Sequence, residues 1–438
     1  MQNFKKIDKI FFVGIGGIGV SALAKLFKSQ GKKVIGSDKY SSEIIDDLEK
    51  KGIKVYIGHK EKNLDSDTDL VIYSPAVKPE VPERKKAIQL GIKQLSYPEV
   101  LGILSKGKYT IAVSGTHGKS TTTAMLGLIL VKAGFNPTVI VGSKVGSFNN
   151  SNLQIGKSKY FIVEACEWQA HMLKLSPKVI ILTNLEPDHL DYYKTFKNLK
   201  EAFKDYVNKL PKNGLLIFNA DDKNCIEIAK STKCKSIGYS IKHGLNFSLQ
   251  VPGRFNIYNA LAANTCALEL GVKPAIIKKV LANFKGIWRR FEKMGEYKGA
   301  LIFSDYAHHP TAVKETLKAA KELYPKRRSV VVYQPHHYDR MKRLFKEFTR
   351  AFDAADLVIL SEVYDVPGRE VVKQIGSEDL TRELKKRKIK ATFTKNLKET
   401  KKILLKNIRK GDLVLIMGAG DIYKLSHSLS TDLFDRDK

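Results

Sequence analysis

The chain has 438 residues, of which 43% are hydrophobic and 28% charged, and its formal net charge is +31. This length and composition exclude a disordered tail protein and predict two or three packed domains. No apolar run reaches the roughly eighteen residues of a membrane span and the N-terminus is unlike a signal peptide, so we expect a cytoplasmic protein without membrane contact.

Charge and cysteine content limit which partners, disulfides and metal sites the chain can be expected to have. The positive excess is spread over its whole length, and the densest run, Lys385–Lys390, has the helical periodicity of a solvated face. A general positive field concentrates small anionic substrates such as nucleotides. This, or simple lysine-rich usage, accounts for the charge, so we expect no nucleic-acid partner. Four cysteines are too few and too irregularly spaced for a disulfide framework or zinc ribbon, and we expect reduced, mostly buried thiols at Cys166, Cys225, Cys234 and Cys266.

Short β-branched apolar runs alternate with helix-length amphipathic segments, which predicts an α/β fold of mostly parallel sheets covered by helices. The predicted strands are Ile10–Val13, Val34–Ile35, Leu70–Tyr73, Thr110–Val113, Tyr160–Val163, Val179–Thr183, Leu215–Asn219, Ala300–Ser304, Ser329–Tyr333, Leu357–Leu360 and Leu413–Met417. Two strand–glycine-loop–helix units open at Phe12 and Ala112. With a linker at Gly102–Lys108 and a second boundary near Lys285–Ile287, we predict three domains, at 1–108, 109–287 and 288–438.

The first glycine loop, V-G-I-G-G-I-G-V-S at Val13–Ser21, contains G-x-G-x-x-G between a strand and the predicted helix Ala22–Lys28. Its glycines let the backbone approach a diphosphate at the helix N-terminus. Asp38 ends the next strand about twenty residues later, where it can contact a ribose or base. A nicotinamide-dependent dehydrogenase fits this loop equally well, and a glycine turn that serves only packing is the third interpretation.

The second loop, S-G-T-H-G-K-S-T-T-T at Ser114–Thr123, follows a strand and precedes the predicted helix Ala124–Ala133. Its backbone N–H groups can cradle a triphosphate, Lys119 can reach the β and γ oxygens, and a hydroxyl of Ser120 or Thr121 can hold Mg²⁺. Val113 stands where the common G-x-x-x-x-G-K-[ST] pattern has glycine. The loop nevertheless predicts that the protein binds ATP.

The segment G-T-H-G-K-S-T-T resembles the phosphate loop of the Mur ligases, the ATP-dependent amino-acid ligases of peptidoglycan synthesis. Its histidine, His117, is typical of the members that add L-alanine or a recovered tripeptide to UDP-N-acetylmuramate. The resemblance extends in family order over nearly the whole chain. It includes Gly14–Gly19, Glu164–Glu167, Thr183–Asp191, Gly253–Ala260, Arg289–Glu292, Asp305–Pro310, Gln334–Arg340 and Gly418–Ile422.

The resemblance implies a Rossmann-like N-terminal domain that binds the UDP-sugar, a central P-loop ATPase-type domain, and a C-terminal Rossmann-like domain that binds the amino acid. It implies a ligase that joins L-alanine to the lactyl carboxylate of UDP-N-acetylmuramate through an acyl phosphate, with ATP and Mg²⁺ or Mn²⁺. The alternative is a ligase that adds a recovered tripeptide or another amino acid to the same sugar nucleotide. We expect a monomer or weak homodimer.

Site residues follow partly from position and partly from the resemblance. Glu164 and His189 follow predicted strands, so both lie near the phosphate loop, where a carboxylate and an imidazole can bind Mg²⁺. By resemblance, the metal ligands are Ser120, Glu164 and His189, and the catalytic residues are Lys119, Glu164, His189, His308 and Arg340. The UDP-sugar residues are Gly14, Gly16, Gly17, Gly19, Asp38 and Ser74.

The resemblance likewise supplies the remaining contacts. ATP is expected to bind Gly115, Thr116, His117, Gly118, Lys119, Ser120, Thr121, Asn256, Asn259, Arg290 and Asp305. The amino acid is expected to bind Tyr306, His308 and Arg340. Asn256 and Asn259 are implied to lie near the adenine, and capping of a predicted helix at Tyr258–Leu270 is the competing interpretation.

One stretch departs from the family pattern. Alanine ligases often have P-H-R-[YF]-T-R where this chain has P-H-H-Y-D-R, so His337 replaces an arginine and Asp339 a threonine. The choice of amino acid is therefore open at this stage. Two other classes also stay open: a dehydrogenase leaves G-K-S-T unexplained, and a catalytically silent binding protein leaves Lys119, Glu164 and His189 unexplained.

Overall fold

The computed structural model describes residues 4–246, 248–364 and 375–431. The chain forms two compact units, one made of Met1–Phe247 with Tyr258–Ala282 and the other of Ser248–Ile257 with Asn283–Lys438. The first unit contains two sheets and the second unit one.

The first sheet is a five-stranded parallel sheet of order β3-β2-β1-β4-β5. Its strands are β1 (Lys9–Val13), β2 (Lys33–Asp38), β3 (Lys54–Ile57), β4 (Leu70–Tyr73) and β5 (Gln94–Ser96). Its helices are α1 (Ile18–Ser29), α2 (Glu43–Lys50), α3 (Pro82–Gln89) and α4 (Tyr97–Ser105). The strand order reverses between β1 and β4, and ligands bind parallel sheets in the crevice at such a point.

The second sheet has seven strands in the order β12-β11-β10-β6-β9-β7-β8, parallel except for the β7–β8 pair. Its strands are β6 (Tyr109–Ser114), β7 (Thr138–Val145), β8 (Ser151–Gln154), β9 (Tyr160–Glu164), β10 (Val179–Leu182), β11 (Leu215–Asn219) and β12 (Lys235–Tyr239). Its helices are α5 (Lys119–Lys132), α6 (Leu190–Tyr193), α7 (Phe196–Val207), α8 (Lys223–Ala229), α9 (Arg254–Glu269) and α10 (Pro274–Ala282).

The register of the second sheet positions the phosphate loop. Val113 of β6 pairs with Glu164 at the end of β9, and Ser114 pairs with Leu182 at the end of β10. Carboxyl ends of parallel strands meet at one edge, so the segments after β9 and β10 flank the loop on both sides.

Helix α1 of the first sheet packs on the β7–β8 hairpin of the second. Lys25 Nζ lies 3.2 Å from Ser151 Oγ, and the Asn152 amide donates to Ser21 Oγ at 3.0 Å and to the Ile18 carbonyl. A single apolar core that includes Phe12, Phe27 and Phe203 runs through this unit. Both glycine loops therefore belong to one packed body.

The second unit has a six-stranded sheet of order β13-β14-β18-β15-β16-β17, parallel except for the β13–β14 pair. Its strands are β13 (Glu292–Tyr297), β14 (Ala300–Asp305), β15 (Ser329–Tyr333), β16 (Leu357–Ser361), β17 (Ala391–Thr394) and β18 (Leu413–Met417). Its helices are α11 (Pro310–Leu323), α12 (Tyr338–Arg343), α13 (Phe345–Ala351), α14 (Ser377–Lys386), α15 (Leu397–Asn407) and α16 (Tyr423–Thr431).

The predicted α/β class of three mostly parallel sheets is confirmed, and each predicted strand lies within or overlaps an observed one. The helix predicted from Tyr258 was placed wrongly, because it begins at Arg254 and so includes Asn256 and Asn259. All four cysteines are free thiols, two of them buried. Within the described ranges, none of the helices has the length and apolar character that crossing a membrane requires.

Candidate active site

Two glycines shape the phosphate loop between β6 and α5. Gly115 has φ +124° and Gly118 has φ +84°, both in the region that L-residues with side chains rarely adopt. A Cβ on Gly115 would overlap the Thr183 hydroxyl, and one on Gly118 would overlap Asn259 Oδ1. Because the first N–H groups of α5, from Lys119 onward, have no acceptor inside the helix, the loop leaves donors for phosphate oxygens.

The segment after β10 holds the loop from one side. Thr183 Oγ1 and the Asn184 amide donate to the His117 carbonyl at 2.6 and 3.0 Å, while His117 N–H donates to Asn184 Oδ1 at 2.9 Å. Glu186 N–H donates to Thr116 Oγ1 at 2.9 Å. The conformation of the loop is therefore fixed by hydrogen bonds. Asn184 was missed as a site residue, although it directly follows the predicted strand Val179–Thr183.

Lys119 forms a buried ion pair inside this loop. Its ammonium lies 2.8 Å from Glu167 Oε2 and donates to the carbonyls of Gly115 and Thr116 at 2.5 and 3.1 Å. Burial lowers the pKa of Lys119, but the Glu167 carboxylate outweighs it, so the pKa lies above its ordinary value. The lysine is thus a fixed cation at the position where phosphate oxygens are expected.

Glu164 and Ser120, two predicted metal ligands, are in contact. Ser120 Oγ donates to Glu164 Oε2 at 3.1 Å, and the Gly142 N–H of β7 donates to Glu164 Oε1. Gly142 has no room for a side chain, because its Cβ would lie 2.8 Å from the same carboxylate. The carboxylate is therefore held beside the first turn of α5.

His189, the third predicted ligand, lies with two carboxylates that the sequence analysis did not select. Its Nε2 is 3.7 Å from Glu167 Oε1 and 3.8 Å from Asp188 Oδ2, and one potential ligand atom from each residue lies within 4.8 Å of the others. Two carboxylate oxygens and an imidazole nitrogen suit Mg²⁺ or Mn²⁺. These residues fit a divalent cation, and the second glutamate of E-A-C-E was the available signal for Glu167.

The first glycine loop has little space for side chains. A Cβ on Gly14, which has φ +75°, would lie 3.0 Å from Ser74 Cβ, so Ser74 lies directly against the loop. Asp38 Oδ2 accepts the Gly16 N–H at 2.8 Å, and Gly17 N–H donates to the Gly14 carbonyl at 3.2 Å. The predicted UDP-sugar residues Gly14, Gly16, Gly17, Gly19, Asp38 and Ser74 thus gather at the carboxyl ends of β1, β2 and β4.

Helix α9 carries the two predicted adenine contacts. Asn259 is buried against the phosphate loop, where it accepts a hydrogen bond from Thr122 Oγ1 at 3.3 Å. Asn256 donates to the Pro252 carbonyl at 2.7 Å.

The neighbouring arginines Arg289 and Arg290 of the second unit differ in burial and in their contacts. Arg289 is buried, donates to the carbonyls of Gly418 and Gly420, and lies 4.8 Å from the centre of the Tyr306 ring. Burial lowers its pKa. Arg290 is only half-buried and lies 5.0 Å from the same ring, so it is the better placed of the two for a ligand.

Asp305 accepts hydrogen bonds from the backbone around it. Its two carboxylate oxygens accept the N–H groups of Phe291 at 2.6 Å and Ala307 at 2.7 Å. Burial raises the pKa of Asp305, against the opposing effect of Arg290. Its expected contact with ATP stays a prediction.

His308, His336 and Arg340 lie together at the carboxyl ends of β14 and β15. His308 Nδ1 lies 3.0 Å from the Tyr306 carbonyl, which can only accept, so Nδ1 carries the proton and Nε2 of the neutral ring is the base. Arg340 donates to the His336 carbonyl at 3.1 Å and to His336 Nδ1 at 3.3 Å, which leaves the proton of neutral His336 on Nε2. His336 was not selected from the sequence.

The stretch that departs from the family pattern is ordered by local contacts. His337 is buried with φ +76°, and its N–H donates to the Tyr364 carbonyl at 3.2 Å. Asp339 pairs with Arg343 one turn along α12, at 2.7 Å.

Comparisons with known proteins agree with one another. Three family descriptions match the chain: the Mur ligase family catalytic domain at 9–109, the Mur ligase middle domain at 113–246, and the Mur ligase glutamate ligase domain at 289–420. The chain is 41% identical to the UDP-N-acetylmuramate–L-alanine ligase of Clostridium tetani, over 96% of this chain and 97% of that protein.

Solved structures are similar over nearly the full length. The UDP-N-acetylmuramate–alanine ligase of Thermotoga maritima has a TM-score of 0.84 and 28% identity, over 98% of this chain and 100% of that one. A murein peptide ligase of Psychrobacter arcticus has a TM-score of 0.75 and 24% identity, over 97% of this chain and 98% of that one, a likeness of fold.

Proposed function

The chain belongs to the Mur ligase family, and from this premise we propose that it is the ATP-dependent, ADP-forming ligase that joins L-alanine to UDP-N-acetylmuramate in peptidoglycan synthesis. The observation that carries the proposal is the phosphate loop with Lys119 between the carboxyl ends of β9 and β10, where Glu164, Glu167 and His189 converge. We place the reaction in the cytoplasm, where ATP is available.

The reaction proceeds through an acyl phosphate. A lactyl carboxylate oxygen attacks the γ-phosphorus of ATP, and the bond from that phosphorus to the β–γ bridging oxygen breaks to release ADP. The L-alanine nitrogen then attacks the acyl carbon, the carbon–oxygen bond to phosphate breaks, and inorganic phosphate leaves while the amine loses a proton. Activation is needed because phosphate is a far better leaving group than oxide.

The first unit binds the two anionic substrates. The N–H groups at the start of α5 and the Lys119 ammonium hold the triphosphate, and the loop Gly14–Gly19 holds the diphosphate of the sugar nucleotide. Because the loops are already fixed by hydrogen bonds, most of the rate enhancement comes from positioning and charge neutralisation.

Ser120, Glu164, Glu167, Asp188 and His189 are the residues that would hold a divalent cation. A bound Mg²⁺ or Mn²⁺ supplies charge neutralisation between the γ-phosphate and the attacking carboxylate. The chain's own contribution is to place three carboxylates and one imidazole within reach of Lys119 and the first turn of α5.

The second unit supplies the groups for the amino acid. Arg340 offers a planar fork of donors that suits the L-alanine carboxylate, and Tyr306 lies beside His308. His308 accepts the proton that the amine loses, because its Nδ1 is committed to the Tyr306 carbonyl and Nε2 is basic. Arg290 stabilises the negative charge of the phosphoryl group during its transfer.

Phosphate release by the purified chain with ATP, Mg²⁺ and UDP-N-acetylmuramate tests the proposal. L-Alanine, glycine, L-serine and the tripeptide L-alanyl-γ-D-glutamyl-meso-diaminopimelate are compared as acceptors against no acceptor. We expect L-alanine to stimulate release most strongly and the product to contain the amide. Stimulation only by the tripeptide or another amino acid would overturn the assigned acceptor, and no stimulation by any would overturn the ligase assignment.

A further inference from the structure

Tyr97 stands between the two glycine-loop sites of the first unit. It is the first residue of α4, directly after β5, and the end of its ring packs on the backbone of Gly19 in the first turn of α1. A Cβ on Gly19 would lie 2.5 Å from Tyr97 Cζ and 2.7 Å from its hydroxyl oxygen. The last glycine of G-x-G-x-x-G is therefore required here so that this phenol can approach the helix.

The hydroxyl of Tyr97 is available to a ligand. It makes no hydrogen bond to any residue in 4–246, 248–364 or 375–431, although the ring packs against the core. Burial raises the pKa of the Tyr97 phenol, and the negative charge of Glu164 raises it further. The group therefore stays protonated and is a hydrogen-bond donor.

The glycine loop leaves a few backbone N–H groups that can donate to an anion. Gly16 N–H is used by Asp38 and Gly17 N–H by the Gly14 carbonyl, whereas the first hydrogen bond from the body of α1 is that of Ser21 N–H to the Gly17 carbonyl. The N–H groups between them, at Ile18, Gly19 and Val20, are the donors left for an anion. Of these, Gly19 is the residue against which the Tyr97 hydroxyl lies.

We propose that the Tyr97 hydroxyl donates a hydrogen bond to a diphosphate oxygen of the sugar nucleotide bound at the N-terminus of α1. This inference rests on the proposed function for the identity of the ligand. It makes Tyr97 a substrate-binding residue, and it extends the diphosphate site from the glycine loop to the start of α4.

Isothermal titration calorimetry of UDP binding, without ATP or L-alanine, tests the proposal. UDP carries the diphosphate that the Tyr97 hydroxyl is proposed to contact. The variant Tyr97→Phe removes only the hydroxyl, and we expect the Kd for UDP to rise roughly tenfold or more, because hydrogen bonds to charged groups are the strong class. In turnover, the KM for UDP-N-acetylmuramate should rise while the KM for ATP is unchanged.

Tyr206→Phe is the matched control, because that hydroxyl is fully buried in α7 without a hydrogen-bond partner among the described residues. It should bind UDP as the wild type does. A second variant, Gly19→Ala, displaces the Tyr97 ring and should weaken UDP binding at least as much. Thermal melting of each variant checks that the fold persists.

The outcomes separate the two claims. If wild-type protein binds UDP and Tyr97→Phe binds it within about twofold of wild type, the assignment of Tyr97 is wrong and the ligase assignment stands. If wild-type protein binds neither UDP nor UDP-N-acetylmuramate, the proposed function itself fails.

Discussion

Replacing Lys119 with methionine takes the lysine partner away from the nearly buried Glu167 carboxylate beside the phosphate loop. The Lys119 side chain is 15% exposed and that of Glu167 is 3% exposed. Removing one partner of a buried ion pair costs about 3–5 kcal/mol, since the other charge stays buried. His189 Nε2, 3.7 Å from Glu167, can compensate part of that charge, so we expect the free energy of unfolding to fall by about 3 kcal/mol.

Stability and catalysis can be separated with a double variant. Lys119→Met with Glu167→Gln leaves no uncompensated charge, so it should recover most of the lost stability while turnover stays low. Losing a preorganised donor to the transferring group costs about 10²–10³-fold in turnover. Urea unfolding and L-alanine-dependent phosphate release measure the two quantities.

Lys9→Met is the matched control, because Lys9 is a buried lysine paired with Asp65 at 2.7 Å, at the opposite end of β1 from the glycine loop. It should lower stability and leave turnover near wild type. Our account of Lys119 is refuted if Lys119→Met keeps turnover within about tenfold of wild type, or if Glu167→Gln restores no stability.

Three further changes test other parts of the structure. Gly118→Ala forces a Cβ onto Asn259 at positive φ, and we expect a loss of roughly 1–3 kcal/mol in urea unfolding together with weaker ATP binding by calorimetry. Arg340→Lys keeps the charge but loses the planar fork, so the KM for L-alanine should rise roughly tenfold in steady-state assays. Glu83→Gln removes a fully buried carboxylate that accepts from Asn63 at 2.9 Å, so unfolding measured across pH should show lower stability at neutral pH, by roughly 1–3 kcal/mol.

The pH dependence of the Glu83 variant has a definite sign. Burial raises the pKa of Glu83, but hydrogen bonds from His59 and Asn63 outweigh it, so the folded pKa lies below the ordinary value of 4.5. The stability that ionised Glu83 contributes is therefore complete above that pH and lost as pH falls through the folded pKa. The gap between wild type and variant should close in acid; a gap that widens would contradict this account.

For Gly118→Ala and Arg340→Lys, the results that would contradict the expectation are as follows. Wild-type ATP affinity in Gly118→Ala would mean that the phosphate loop does not need its left-handed residue. If Arg340→Lys leaves the KM for L-alanine unchanged and raises the KM for ATP, Arg340 contacts the phosphates and not the amino acid.

Local patterns in the sequence were enough for the fold class and the two glycine loops. A strand, a glycine loop and a helix are contiguous, so the residues proposed to bind phosphate in the second loop lie within about ten positions of each other. The strands that the sequence analysis missed are mostly edge strands such as β3, β5, β12 and β17, whose short or polar sequences lack a continuous apolar run.

Contacts between distant segments could not be read from local patterns. Asn184 contacts the phosphate loop 67 positions away, and Glu167 pairs with Lys119 across 48. Both depend on the order β10-β6-β9, which places three non-consecutive strands side by side. Tyr97 was missed for the same reason, because its neighbour Gly19 lies in another βα unit.

The valine at position 113 shows how the sheet and the loop fit together. Where the common phosphate-loop pattern has glycine, Val113 is a fully buried residue of β6 that pairs with Ile181 on one side and Glu164 on the other. A glycine there would weaken the central strand at the residue whose register sets the position of Glu164. Because the strand continues to Ser114, the chain turns only at Gly115, whose φ of +124° makes that turn. The departure from the common pattern thus keeps the phosphate loop and the candidate metal ligand in one fixed register.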